Sequence, residues 1–313
     1  MKFLSWISLE RLMFFYNREK VQGREAKALS IILPTVGCMW RKCNMCSYFE
    51  DSPINSSIDI FSEFVNEFNN AYDIEIKKVK LFTSGSFLDP REISPNDANK
   101  IVSFLSDKGV CEVTLESRPE FIIEENLTEL TKNNDIQIEV AVGIESANNR
   151  ILKHSINKGF TFEDYISASE ILKKFNIKNK AYLMIKPPYL NEKEAIYDAI
   201  LSAKLIEDIA DVISFNPMTV HKNTLVEYLW NKGEYSPPWG WSILKILKET
   251  SNLRPDIICH PVAFGRSRGP KNCKICNREI EKRILDFSLK NDPKILEYEC
   301  ECKKEWEEEL LKL

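Results

Sequence analysis

Leu33-Pro34-Thr35-Val36-Gly37-Cys38-Met39-Trp40-Arg41-Lys42-Cys43-Asn44-Met45-Cys46-Ser47-Tyr48 decides how the rest of this chain is read. Three cysteines, Cys38, Cys43 and Cys46, fall in one short loop directly after the apolar run Ala28 to Leu33. Three thiolates suit an iron–sulfur cluster with one iron left free of protein ligand, and an open iron is where chemistry happens. The competing reading is zinc. A structural zinc ion takes four ligands, and no fourth Cys or His lies near the loop.

The chain is 313 residues long, enough for one large α/β barrel with an appendage or for two domains. A hydrophobic content of 43% supplies a sizeable core, and 11% aromatic residues speak against a disordered chain. The 43 Lys and Arg against 47 Asp and Glu give a formal net charge of -4, which excludes a uniformly basic nucleic-acid coat but allows a local basic patch. Nine cysteines would mean disulfides in a secreted protein. Most of them stand in Cys-x-x-Cys and Cys-x-Cys pairs, which reads as metal binding in a reducing cytoplasm. Met1 to Phe15 is apolar, but Glu10 and Arg11 interrupt it and no small-residue cleavage site follows. It reads as an amphipathic helix rather than a signal peptide. No apolar run approaches the roughly 18 residues of a membrane span, so a cytoplasmic protein without membrane contact is expected.

Beyond the loop, short apolar runs alternate with helical ones. Asp59 to Tyr72 carries Phe61, Phe64, Val65 and Phe68 at helical spacing, and Val79 to Phe82 reads as a strand running into Thr83-Ser84-Gly85-Ser86. Ser94-Pro95 is an N-cap followed by proline at the first helical position, with Gly109 placed to cap the far end. Further strands are expected at Cys111 to Leu115, Ile136 to Ile144, Ala181 to Ile185 and Val212 to Phe215. Helices are expected from about Pro119 to Thr131, after Thr161, from about Glu192 to Ile206, and over Trp241 to Thr250. Strand–helix units in series make a parallel sheet with right-handed crossovers, closed or nearly closed as a barrel. Functional residues gather at the carboxyl ends of such strands. The cysteine loop, Ser84 to Ser86, Glu116 to Pro119, Gly143 to Glu145 and Lys186 to Pro188 all fall there. The expected division is an N-terminal helical segment over 1–27, a core over 28–216 and an extension over 217–313.

The extension holds a second cysteine group. Cys273-x-x-Cys276 is half of a zinc site and Cys300-x-Cys302 completes four thiolates, which would staple a tail lacking a large core. Zinc is the favoured ion, a second iron–sulfur cluster the alternative, and Cys259 and His260 are spare ligands. Cys111 reads as a small core residue of a strand. Around the tail site stand Arg266, Arg268, Lys271, Lys274, Arg278, Lys282 and Arg283 against only Glu279 and Glu281, an excess that suits either phosphate contact or a solvated helix face. Trp239, Trp241 and Trp306 are candidates for stacking on bases, or core residues.

The cysteine loop resembles the radical S-adenosylmethionine (SAM) superfamily, although four residues, Met39 to Lys42, separate Cys38 from Cys43 where most members have three. The resemblance implies a partial (β/α)6 TIM-like barrel and a 4Fe–4S cluster on Cys38, Cys43 and Cys46 whose open iron chelates SAM. A deoxyadenosyl radical formed from SAM then removes hydrogen from the substrate. It also implies that Met45 lies against the adenine and that the Ser84-Gly85-Ser86 turn meets the SAM amino group. Glu116, Arg118 and Glu145 are implied as SAM ligands; helix-start acids and a surface cation are the plain alternatives. Five further segments are Gly37-Cys38-x-Trp40, Ala181 to Pro188, Ser214-Phe215-Asn216-Pro217, Pro237-Pro238-Trp239 and Arg268-Gly269-Pro270-x-Asn272-Cys273-x-x-Cys276. Together they resemble the radical SAM subunit family of archaeosine synthases. That family implies a tRNA substrate modified at position 15 of the D-loop, an electron donor, and an ArcS-type partner related to transglycosylases that attaches lysine to a 7-deazaguanine. The radical subunit would cleave the C–N bond of that lysine. Lys186, Asn216 and His221 are candidates for holding the substrate. Two rival readings remain: a different radical SAM tRNA modifier of acyltransferase or methylthiotransferase type, and a non-catalytic zinc protein that binds tRNA.

Overall fold

The computed structural model describes residues 12–52, 59–132 and 134–312. β1 (Met13–Val21) and β2 (Arg24–Ile32) form an antiparallel hairpin about Gln22-Gly23, whose φ values are 49° and 78°. Two left-handed residues give the turn whose twist matches the flanking strands. The hairpin corrects the expected helical segment over 1–27: residues 13–21 and 24–27 are strand, and residues 1–11 lie outside the described residues. The aromatic run Phe14-Phe15-Tyr16 favours a pleated strand, and a buried ion pair lets the charged Glu19 sit inward.

After the cysteine loop come α1 (Ile60–Ala71), β3 (Ile76–Phe82), α2 (Pro95–Asp107), β4 (Glu112–Ser117) and α3 (Glu124–Leu130). Next are β5 (Gln137–Glu145), α4 (Phe162–Lys174), β6 (Lys178–Ile185), α5 (Glu192–Leu205) and β7 (Val212–Pro217). The remainder is α6 (Leu225–Asn231), α7 (Gly240–Thr250), β8 (Asp256–Cys259), α8 (Asn277–Lys290) and α9 (Lys303–Glu309). Strand order in the sheet follows chain order, and the ladders from β2 to β5 and from β6 to β8 are parallel. The fold class is therefore the expected one, parallel strand–helix units followed by a small cysteine-rich extension. The expected caps at Ser94, which accepts from Asp97 N, and at Gly109, which takes φ +78°, are present, and Asp59 adds a cap by accepting from Ser62 N. The helix expected from Pro119 instead begins with a separate 3-10 turn, Pro119–Phe121, ahead of α3. Cys111 precedes β4 and is half-buried, so it is not the strand-core residue expected.

The chain divides into two compact units, one of Met1–Arg41, Tyr48–Gly143 and Asp164–Asn179, the other of Lys42–Ser47, Ile144–Glu163 and Lys180–Leu313. In the first, Phe64, Phe68 and Phe104 interlock edge-to-face between α1 and α2, while Val79 and Leu81 of β3 are fully buried. The alternate residues of β3 are lysines, and they are buried too. Lys78 Nζ lies 2.5 Å from Glu112, 3.0 Å from Glu139 and 3.6 Å from Glu19, and Lys80 pairs with Glu19. Burial works against the Lys78 charge, but Glu139, Glu19 and Glu112 outweigh it and hold its pKa above the usual lysine range. Lys178, 2.5 Å from Glu112, brings the network to three cations against three carboxylates, and such a network persists because its charges are matched.

In the second unit an apolar cluster joins Met45, Leu152, Ile156, Met184, Met218, Val220, Val226 and Leu229. α7 contributes a further core face, Ile243, Ile246 and Leu247, all fully buried.

Candidate functional site

In the first unit the turn after β3 is built against the first cysteine. A Cβ on Gly85 would stand 2.6 Å from Cys38 Cα and 2.0 Å from Glu92 Oε1, so only glycine lets the turn approach so closely. Ser86 is buried; its N–H donates to Glu92 Oε1 (2.6 Å) and its Oγ accepts from Arg118 N (3.1 Å). Thr35, three residues before Cys38, donates to the other Glu92 oxygen at 2.6 Å. Glu92 thus ties the cysteine loop to the glycine turn. Burial pushes its carboxyl up, against the lowering effect of the hydrogen bonds from Thr35 and Ser86. The long Cys38–Cys43 spacing has a visible accommodation. Arg41 turns left-handed (φ +52°) and its guanidinium donates to the carbonyls of Val36 and Cys38, both at 2.8 Å.

At the end of β4, Glu116 is half-buried and its carbonyl accepts from Phe87 N at 2.8 Å. Arg118 is not the surface cation of the plain reading: it is buried, its Nε lies 2.5 Å from Glu120, and its guanidinium stands 5.7 Å from the Trp40 ring centroid.

In the second unit the segment Lys42–Ser47 is held by backbone. Asn44 N donates to Ile156 O at 2.8 Å, Asn44 Nδ2 to Ser155 O at 2.9 Å, and Asn157 Nδ2 to Lys42 O at 2.8 Å. Ser155 and Ile156 belong to a π-helical turn, Ile151–Ile156, an irregularity that recurs at functional sites. Met45 is buried in the apolar cluster, with Cys43 and Cys46 packed on its edge.

Two strand ends carry non-glycine residues at positive φ: Glu145 at the end of β5 (φ +67°) and Lys186 after β6 (φ +65°). Such backbone is costly and collects at active sites. Glu145 pairs with Lys158 at 2.8 Å, both largely buried. Lys186 pairs with Glu192 at 2.7 Å, and Tyr235 donates to its carbonyl at 2.8 Å. Glu192 also accepts from Trp239 N (2.9 Å) and Ser242 Oγ (2.5 Å). Asn216 lies beside Met184 in the β6–β7 ladder, its Oδ1 accepting from Ser214 at 3.3 Å. His221 follows β7; burial, reinforced by the Arg268 charge, lowers its pKa and keeps the imidazole neutral near pH 7.

The tail cysteines converge. Sγ atoms of Cys273, Cys276, Cys300 and Cys302 all lie within 4.8 Å of one another, with neighbouring pairs at 3.4, 3.6 and 3.7 Å. Four sulfurs about 2.3 Å from one tetrahedral ion stand roughly 3.8 Å apart. A four-iron cube would spread them further, because each thiolate binds a different iron and any two irons lie across a face of the cube. Donor set and spacing therefore fit a single ion. Burial pushes the Cys276 and Cys302 thiols up, a conflict that a cation binding them as thiolates relieves. Cys259, expected as a spare, is buried at the end of β8 and outside the group. Nor is His260 among these four. Trp241 and Trp306 are core rather than stacking residues: Trp241 Nε1 donates to Cys302 Sγ at 3.4 Å and Trp306 Nε1 to Ser242 Oγ at 2.8 Å.

Glu92, Arg41, Lys158 and Glu192 are absent from the sequence-derived residues. Each acts through a partner distant in sequence or through local backbone. For Arg41 alone a signal stands in the chain, the extra residue between Cys38 and Cys43.

The class these features define is that of the radical SAM proteins, and residues 32–200 match the family described as Radical SAM superfamily. Archaeosine synthase subunit beta of Methanosarcina acetivorans is 40% identical over 302 residues, covering 93% of this chain and 87% of that protein. The protein of the same name from Thermococcus kodakarensis is 37% identical over 311 residues, covering 95% of each. Among solved structures, Elp3 of Methanocaldococcus infernus with an N-terminal deletion superposes with a TM-score of 0.52 at 18% identity, over 73% of this chain and 58% of that chain; this is a likeness of fold. The chain belongs to the radical SAM superfamily and, within it, to the family of archaeosine synthase beta subunits. Among the described residues no helix is long and apolar enough to cross a membrane.

Proposed function

We propose that this chain is the radical subunit of an archaeosine synthase. It cleaves the C–N bond of a lysine side chain attached to a 7-deazaguanine at tRNA position 15 and leaves the formamidine of archaeosine. The observation that carries this reading is the reach of the similarity. It spans 93% and 95% of the chain against two archaeosine synthase beta subunits, well past the superfamily match at residues 32–200.

Cys38, Cys43 and Cys46 would hold the 4Fe–4S cluster, and the Gly85 turn, Glu116, Arg118 and Glu145 would hold SAM. Cluster and SAM together supply one-electron hydrogen abstraction from an unactivated carbon. The residues of the chain supply position and dryness. Glu92 fixes the glycine turn to Thr35, so the backbone N–H groups there are set before any ligand arrives. Met45 and its apolar neighbours exclude water from the side of Cys43 and Cys46. Lys186 is anchored by Glu192 and, with Asn216 and the neutral His221, takes the substrate; an uncharged imidazole there accepts a hydrogen bond without repelling a cationic amidine.

The four tail thiolates hold zinc in a closed structural site. The lysine-transferring, transglycosylase-related subunit and an electron donor are the partners this reaction requires. The test is incubation of reduced, reconstituted protein with SAM and lysine-modified tRNA. Mass spectrometry of the nucleosides is expected to show archaeosine formed in step with deoxyadenosine. Deoxyadenosine released with the lysine adduct intact would reject the assignment.

A further inference from the structure

The tail is more than a staple. Between Arg266 and Arg283 the chain carries seven cations and two carboxylates, in a protein whose formal net charge is -4. The structure sorts these cations into two sets. Arg268 lies 2.5 Å from Glu227 and stands over the Trp230 ring at 4.9 Å. Arg283 pairs with Glu279 at 2.9 Å, donates to the carbonyls of Ile295 and Glu297, and covers Tyr298. Both are internal struts, and Arg266 has the charge of Glu281 near it. Lys271, Lys274, Arg278 and Lys282 form the other set: all are exposed, and none has an ion pair among the described residues.

Their placement is not scattered. Arg278 and Lys282 sit on successive turns of α8, four residues apart and on one face, and Lys274 stands four residues earlier in the Cys273–Cys276 knuckle that leads into the helix. At the knuckle's tip Ile275 is 86% exposed, the most exposed large apolar side chain among the described residues. Cys273 and Cys276, which flank the pair Lys274-Ile275, both belong to the four-sulfur group, so a bound ion would hold the tip rigid. An exposed apolar tip beside a row of exposed cations, none ion-paired among the described residues, is not explained by packing. It is complementary to a polyanion that also offers apolar faces, which is what an RNA strand presents.

We infer that the tail itself grips the tRNA: Lys274, Arg278 and Lys282, with Lys271 beside them, contact backbone phosphates, and Ile275 rests on a base or ribose. This rests on the tRNA reading of the function but assigns the contact to this chain and to these residues. The experiment is fluorescence anisotropy of the full-length holoprotein with an unmodified tRNA transcript carrying G15, across a salt series. Removing one cation from a phosphate lowers the slope of log K against log salt by about 0.7–0.9. K274A/R278A/K282A is therefore expected to bind at least about 10-fold more weakly at moderate salt, with a slope smaller by roughly two to three. I275S is expected to bind several-fold more weakly with its slope unchanged, because an apolar contact releases no counterions. The charge-preserving K274R/R278K/K282R is expected to match wild type. Equal affinity and slope in the alanine protein would overturn the inference, as would loss of binding in the charge-preserving protein, which would mark a structural effect. Wild-type protein that ignores tRNA altogether would bring down the function reading as well. Unchanged tRNA binding, with loss only of binding to an acidic polypeptide such as polyglutamate, would give the surface to a protein partner and refute the RNA contact.

Discussion

On the proposed function, the two cysteine groups of this chain put the same side chain to opposite ends. Cys38, Cys43 and Cys46 lie on a loop of three thiols with no fourth ligand in its sequence neighbourhood, and the loop's surroundings are special: a glycine turn without room for a Cβ, a buried carboxylate and a left-handed arginine. Cys273, Cys276, Cys300 and Cys302 gather four sulfurs within 4.8 Å of one another, with tryptophans and a second buried carboxylate behind them. An incomplete set leaves a coordination position for chemistry, and a complete one closes the metal off and contributes folding energy. On the proposed function, ligand number is what separates the reactive centre from the structural one, and the supporting residues differ accordingly.

If the tail site is closed and structural, Cys276→Ala should have the largest effect on folding. Binding of an ion in such a site is worth on the order of 10 kcal/mol. Limited proteolysis should cut the variant within the tail while its iron content stays at the wild-type level. Next in size comes Glu192→Gln. Glutamine keeps the bonds from Trp239 and Ser242 but strips Lys186 of its buried counter-charge, a loss of about 3–5 kcal/mol measurable by denaturant unfolding. Zinc should stay bound in this variant while the affinity for modified tRNA falls.

Gly85→Ala probes the open group. Its Cβ displaces the turn from Cys38, and a shift near 1 Å at a reacting centre costs about 100-fold in rate. SAM cleavage should drop by that order with the tail unaffected. Asp198→Asn has the smallest expected effect and serves as a control remote in sequence from both cysteine groups. Burial raises the Asp198 carboxyl to about 6, against the lowering bond from Ser146. The folded state therefore holds this proton more tightly than the unfolded one. Stability from this group rises as pH falls from above 6 toward the ordinary carboxyl range, and is lowest at alkaline pH. The asparagine variant should lose that dependence and gain on the order of 2–3 kcal/mol at pH 8, with both metals unchanged.

Much of the architecture was legible because its signals are local. The apolar runs of β3, β5 and β6 and the cap at Ser94 announce themselves within a few residues. The N-terminal hairpin was not, since the buried Glu19 meets the charges of Lys78 and Lys80, some sixty residues on, once the chain has folded. The site divides the same way. Cys38, Gly85 and the tail cysteines are visible by spacing and residue type. Glu92 looks like any helix-start acid until folding brings Thr35 and Ser86 to it, and Glu192 looks like the first residue of a helix until Lys186 and Ser242 do the same. The seven tail cations are alike in sequence, and only their partners separate the struts from the exposed row.

Three thiolates for an open iron cluster and four others for one closed ion is the division on which all of this rests. Iron, sulfide and zinc per chain, measured on anaerobically purified wild type and Cys38→Ala, decide it. Cys38→Ala is expected to lose its cluster iron and sulfide and to keep one equivalent of zinc. Iron retained at the wild-type level in that variant, or zinc lost together with it, would refute the division.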